Sequence, residues 1–188
     1  MKKEMRIGQS RPKLMAIPHQ LKELSQWMPY KLIKKPDSSR LGKVPHSKGG
    51  FPASKNARQH WMSFEECLSL CQGAQAKFDG IGFCPNNPDL LFIDLDDCFL
   101  SDGRLDERAR ELVDSIDGYV ERSLSGTGVH IITRADRAYG NPKSSDGKVE
   151  VFTSRMYLAM TGDIFEGGQI FRLMLQIPRH SASICKSR

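Results

Sequence analysis

The run Leu90-Leu91-Phe92-Ile93-Asp94-Leu95-Asp96-Asp97 constrains this chain more than any other. Four consecutive large apolar residues make Leu90–Asp96 a buried strand, yet two carboxylates are set into it two residues apart. Side chains alternate along a strand, so Asp94 and Asp96 share one face while Ile93 and Leu95 take the other. Like charges held that close on a half-buried surface repel, and burying even one unpaired carboxylate is costly. A hard divalent cation bound through oxygen, Mg²⁺ or Mn²⁺, relieves both costs. The plainer reading, aspartates capping a strand end in water, sits badly with so apolar a strand. Asp97 points to the opposite face and reads as a turn residue.

Around this strand the pattern mixes helices and strands without strict alternation. Gln26–Ile33 alternates as a strand, with Trp27 as a core anchor. Lys34–Asn56 is rich in Lys, Pro, Ser and Gly and reads as a long loop. Ser63 and Glu66 form a capping box that opens a helix to about Ala76. Short strands at Gly80–Phe83 and Leu90–Asp96 flank the turn Pro85-Asn86-Asn87-Pro88. Leu105–Ile116 carries Leu105, Ala109, Leu112, Val113 and Ile116 on one helical stripe. Tyr119–Ser123, Val129–Thr133, Val149–Thr153 and Tyr157–Thr161 then read as strands. The expectation is a single α+β domain with a mixed or antiparallel sheet and flanking helices. It spans residues 21–165, after a basic flexible arm (1–20) and before residues 166–188, a short helix at Ile170–Ile177 followed by a disordered tail, Pro178–Arg188.

Charge is segregated. Residues 1–60 hold 14 Lys/Arg against 3 Asp/Glu, residues 61–118 hold 4 against 13, and the remainder 10 against 6. A basic lobe beside an acidic centre suits a metal site on a polyanion track, the alternative being a solvated surface with a basic arm. No apolar run approaches the roughly 20 residues of a membrane span, and no apolar core follows the N-terminal lysines, so neither a membrane nor a signal peptide is expected. Five scattered cysteines suit free thiols in a reducing, cytoplasmic compartment. Cys67 and Cys71 sit one helical turn apart, but no second pair accompanies them to complete a zinc site.

Two further segments carry chemistry. In Ser123-Leu124-Ser125-Gly126-Thr127-Gly128-Val129-His130, Gly126 and Gly128 free the backbone to form an anion cradle beside the hydroxyls of Ser125 and Thr127. His130 opens the next strand and is a donor to a phosphate oxygen. The competing reading is a hairpin turn with a satisfied core histidine. Val149-Glu150-Val151-Phe152 is a strand with one inward carboxylate, and beside Asp94 and Asp96 it completes an oxygen-rich two-metal site.

The order D-x-D, S-x-S-G-x-G-x-H, h-E-h-F and Thr161-Gly162 resembles the archaeo-eukaryotic primase superfamily. More narrowly, it is similar to the primase-polymerase domains of phage and plasmid replication proteins. Gly42-Lys43-Val44-Pro45, Trp61-Met62-Ser63-Phe64-Glu65-Glu66, Gly80-Ile81-Gly82-Phe83, Tyr119-Val120-Glu121-Arg122-Ser123 and Thr161-Gly162-Asp163-Ile164-Phe165 extend the match from about Trp27 to Phe165. The resemblance implies an RNA-recognition-motif-like catalytic core using Mg²⁺ or Mn²⁺ for template-directed nucleotidyl transfer. It implies Asp94, Asp96 and Glu150 as metal-binding carboxylates, and His130, Ser125, Gly126, Gly128 and Lys43 around the triphosphate of a ribo- or deoxynucleoside triphosphate. Template and primer DNA, single-stranded DNA and a replicative helicase are the implied partners. Where the family commonly carries an arginine before the aromatic of the last strand, Met156 stands here. Arg155, one place earlier, replaces it only if a bulge re-aims the side chain. That departure keeps a second reading open, a catalytically weak DNA-binding module that recruits replication proteins. A metal-dependent nuclease is a third.

Overall fold

In the computed structural model, which describes residues 11–34, 41–73, 76–137 and 139–166, the strands assort into two antiparallel sheets. The first runs β2 (Leu41–Pro45), β1 (Trp27–Lys34), β3 (Gly80–Phe83), β8 (Leu158–Ala159). The second runs β7 (Val149–Phe152), β4 (Leu90–Leu95), β6 (Val129–Arg134), β5 (Tyr119–Arg122), β9 (Ile164–Glu166). With helices packed on them the chain is an α+β domain, as the mixed pattern predicts.

The helices begin where their caps dictate. The Ser63 hydroxyl accepts the Glu66 N–H at 3.2 Å, which opens α3 (Phe64–Cys71). It stops short of Ala76 because Gln72 is extended and Gly73 turns left-handed, at φ 80°. The Asp106 carboxylate accepts the Ala109 N–H at 2.8 Å, so α4 (Glu107–Ser115) starts two residues later than periodicity alone suggests. Leu105 is spent on a bridge to Phe99 instead.

The second sheet has an apolar layer on each side. Leu91, Ile93, Leu95, Val120, Val129 and Ile131 pack with Ala109, Leu112 and Val113 of α4. The opposite face gives Phe92, Phe152, Ile132 and Tyr119 to a larger cluster with Trp27, Phe64, Phe83 and Leu158. Trp27 anchors it, its ring edge-on to Phe64 and Phe83 at centroid distances of 5.0 Å and its Nε1 donating to the Leu21 carbonyl.

Three expectations need correcting. The 34–56 segment is not all loop: Leu41–Pro45 is an edge strand, paired in register with β1 from Lys34↔Leu41 to Tyr30↔Pro45. Its composition carries no strand signal, and pairing with the β1 backbone supplies what the side chains do not. Residues 11–20 are not an arm. They contribute α1 (Arg11–Met15) and, with Lys22, α2 (His19–Lys22), and Leu14 and Ile17 are buried in the main cluster. This segment lies hard against the Thr161-Gly162 turn, where a Cβ on Gly162 would stand 2.0 Å from the Lys13 carbonyl oxygen. Finally, the strand expected at Tyr157–Thr161 shrinks to β8 and joins the first sheet, away from β7. Residues 1–10 and the expected Ile170–Ile177 helix and tail lie outside the described residues.

Candidate active site

Two rows of side chains cross the inner face of the second sheet, one pleat apart. In the first, Phe92 stands opposite Phe152 on one side and Ile132 on the other, and Ile132 opposite Tyr119. Two residues along each strand the row turns polar: Asp94 stands opposite Glu150 and His130, and His130 opposite Glu121. Antiparallel pairing places such neighbours with Cβ atoms roughly 5 Å apart, which brings four ionisable groups, distant in sequence, into one line.

The inner end of that line is saturated. Glu121 is fully buried, accepts hydrogen bonds from Tyr119 Oη at 2.8 Å, Gly162 N–H at 2.8 Å and Thr161 N–H at 3.1 Å, and faces His130 Nδ1 at 2.8 Å. Burial, and then the Glu121 carboxylate, push the Tyr119 phenol far above its ordinary range. The outer end is not saturated. His130 Nε2 is 3.7 Å from Asp94 Oδ1, too far for a hydrogen bond, and this buried oxygen has no hydrogen-bond partner. Glu150 pairs with Lys143 Nζ at 3.0 Å. Asp96 lies just past the end of β4, open to solvent, its amide bonded to the Lys148 carbonyl. Desolvation, then the charges of Asp94 and Asp97, raise its carboxyl above the usual range, against Lys43 and His130. Asp97 turns left-handed at φ 47°, as a turn residue should.

No three His, Cys, Asp or Glu side chains among the described residues converge as a ready metal site. The expected trio is thus not drawn together: Asp94 and Glu150 are neighbours in register, Glu150 is held by a lysine, and Asp96 sits beyond them. What the site does offer is oxygen donors short of a partner. The orphaned Asp94 oxygen and the mutually repelling Asp94 and Asp96 fit a hard divalent cation.

The Ser123–Gly128 loop differs from an open cradle. Gly126 N–H donates to the Ser123 carbonyl, Thr127 N–H to Ser125 Oγ and Gly128 N–H to Ser123 Oγ, so these amides are spent within the loop. Gly128 is needed because its backbone passes β4 so closely that a Cβ would lie 2.2 Å from the Leu95 oxygen. Gly126 is needed for its φ of 79°. The hydroxyls of Ser123, Ser125 and Thr127 form a chain of 3.0 Å contacts, and the last two are exposed.

Lys43 projects from β2 of the other sheet, and its charge reaches Asp96. It also lines an open pocket of about 600 Å³ with Leu41, Pro45, Ser54, Lys55 and Tyr157. Lys55 Nζ lies 3.6 Å from the sulfur of Met156, and Trp61 Nε1 holds the Lys55 carbonyl at 2.9 Å. Met156 packs toward the core, while Arg155 is exposed in the left-handed region at φ 59° on the crossover between the sheets, not on a bulged strand.

Sequence reasoning passed over Lys55 and Lys143, for which no pattern existed, and gave Glu121 no role. The signal for Glu121 was there: Tyr119-Val120-Glu121 is an apolar strand with one acid on the Tyr119 face.

No protein-family model matches the chain. In an alignment of 162 residues that covers 82% of its length, it is 31% identical to a protein of Nitratiruptor phage NrS-1 named DNA primase-polymerase. The chain is a relative of a phage primase-polymerase. The resemblance carried by the motifs therefore stands for the domain, while the chain spans only 22% of the length of that phage protein.

Proposed function

We propose that this chain is a catalytic domain for template-directed nucleotidyl transfer, joining a nucleoside triphosphate to a primer 3′-hydroxyl with release of pyrophosphate. The observation that carries the reading is the buried, partnerless Asp94 oxygen, set between Glu150 and His130 and followed by Asp96. A buried carboxylate oxygen without a hydrogen-bond partner, with a second carboxylate beside it at the strand end, costs stability that no packing need explains; a site that receives a cation with its substrate explains it.

Asp94 and Asp96 would hold Mg²⁺ or Mn²⁺, with Glu150 joining once Lys143 releases it. Such an ion, when bound, stabilises charge on the transferring phosphate and lowers the barrier to attack by an oxygen nucleophile. The chain's own groups then position the substrate. Lys43 and Lys55 face one pocket of a size to take a triphosphate, with Arg155 on the turn two residues before its Tyr157 wall. His130 turns Nε2 toward the same carboxylates, and Ser125 and Thr127 offer hydroxyls as donors. Gly126 and Gly128 shape that loop. DNA would lie along the basic first third of the chain, making binding salt-sensitive and largely sequence-independent.

Extension of a labelled primer on a DNA template with Mn²⁺ and deoxynucleotides tests this, with Asp94→Ala/Asp96→Ala as the control. Growth of the primer that disappears in the double variant is the expected result. DNA binding without growth would instead favour the recruiting module, and cleavage of DNA without nucleotides would favour a nuclease.

A further inference from the structure

We propose that Glu121 is the positioning residue for His130: it keeps a ring proton on Nδ1 and so fixes Nε2 toward Asp94. The proposal deepens the reading of the site given above and rests on it. His130 is 1% exposed and Glu121 is not exposed at all, so water does not compete for either group.

Donor and acceptor accounting decides the tautomer. Oε2 of Glu121 receives Tyr119 Oη and the Gly162 and Thr161 amides, and Oε1 receives the Thr161 amide and faces His130 Nδ1 at 2.8 Å. The two amides can only donate, and the Tyr119 phenol, whose proton is held firmly, donates as well. The carboxylate is thus the acceptor throughout, and Nδ1 carries its proton toward it. Nε2 is left facing Asp94 Oδ1. Held in this way the ring cannot flip without breaking the Glu121 contact, and Nε2 keeps its lone pair toward the carboxylates, where it accepts from a hydroxyl or bound water of the substrate rather than donating to its phosphate, the role the sequence suggests. The same carboxylate ties the ring to the Thr161-Gly162 turn, linking β5, β6 and the segment before β9 at one point.

Glu121→Gln is nearly isosteric and makes the test sharp. Its amide oxygen must take the Oε2 position, where three donors converge. The NH₂ then faces Nδ1 and requires it to accept, which moves the ring proton to Nε2. We therefore expect ¹⁵N NMR of histidine-labelled protein to show Nδ1 protonated in the unsubstituted chain and unprotonated in Glu121→Gln. The His130 signals are assigned by their loss in His130→Gln. In primer extension the variant should raise KM for the nucleotide by about 10- to 100-fold, as loss of an orienting partner typically does, with primer–template affinity unchanged. A merely structural carboxylate would lower the melting temperature without that split.

An unprotonated Nδ1 in the unsubstituted chain, an unchanged tautomer in the variant, or an inverted tautomer with unchanged nucleotide KM would each overturn the proposal. Should Glu121→Gln fail to fold, the ring signals of the unsubstituted chain decide it. If the chain proves unable to extend primers, the polymerase reading falls separately, because the NMR result does not depend on turnover.

Discussion

The Phe92–Phe152–Ile132–Tyr119 row and the Glu150–Asp94–His130–Glu121 row share strands, sheet face and register, and differ by one pleat. The apolar row needs nothing beyond contact: Phe92 stacks against Phe83 and Phe152 at 5.6 and 5.7 Å and is fully buried. In the polar row, removal from water has to be matched group by group. Glu121 is matched, and Asp94 is not. The contrast separates two kinds of buried charge on one surface. On the proposed function, the carboxylate with its lone pairs filled serves the protein's internal order, and the one with an empty oxygen would receive something that arrives from outside.

Four substitutions test that separation. The largest effect is expected from Asp94→Ala: primer extension falls about 10³-fold or more, about 4 kcal/mol in the barrier, while the melting temperature does not fall. If Asp94→Ala unfolds the protein, the two rows are alike and the distinction fails. Phe92→Ala should do the reverse, costing about 3–5 kcal/mol of stability in denaturant titrations. The protein that remains folded at low temperature should keep its activity per molecule.

Tyr119→Phe removes one donor from Glu121 and should cost about 1 kcal/mol at neutral pH. It should also flatten the alkaline side of the stability profile. The Tyr119 phenol is raised in the fold, so its contribution is complete below its unfolded value of about 10 and is lost as pH climbs above that. Phenylalanine has no such loss, and a pH series of melting curves to pH 11 would show whether the limb is unchanged. The smallest effect is that of Asp96→Asn, which relieves repulsion with Asp94 and Asp97. In chelator it should raise stability by roughly 0.5 kcal/mol or less, given how open the residue is. Mn²⁺ should raise the melting temperature of the unsubstituted chain, and Asp96→Asn should abolish that rise. A variant still stabilised by Mn²⁺ would remove Asp96 from the site.

Strand β4, the helix cap at Ser63, and the strands bearing His130 and Glu150 were legible because each depends on residues close in sequence: alternation, a hydroxyl three residues before an amide, an apolar run broken by acids. Leu41–Pro45 was not legible as a strand, since a short, exposed lysine- and glycine-containing edge is stabilised by the neighbour it pairs with. The burial of Leu14 and Ile17 was hidden for a similar reason: the surface that receives them includes Gly162, about 150 residues away in sequence.

At the site the division is sharper. By itself the sequence determined which residues could do chemistry, because ionisable groups set in apolar strands stand out and cost too much to be incidental. Only the tertiary structure decided which of them meet. Antiparallel register placed Glu121 behind His130 and left one oxygen of Asp94 without a hydrogen-bond partner. The approach of the second sheet brought Lys43 to Asp96, and closure of the glycine loop consumed amides that composition alone leaves free. Hydrogen bonds and Coulomb forces act over a few ångströms, and distances that short between residues far apart in sequence exist only once the sheets have formed.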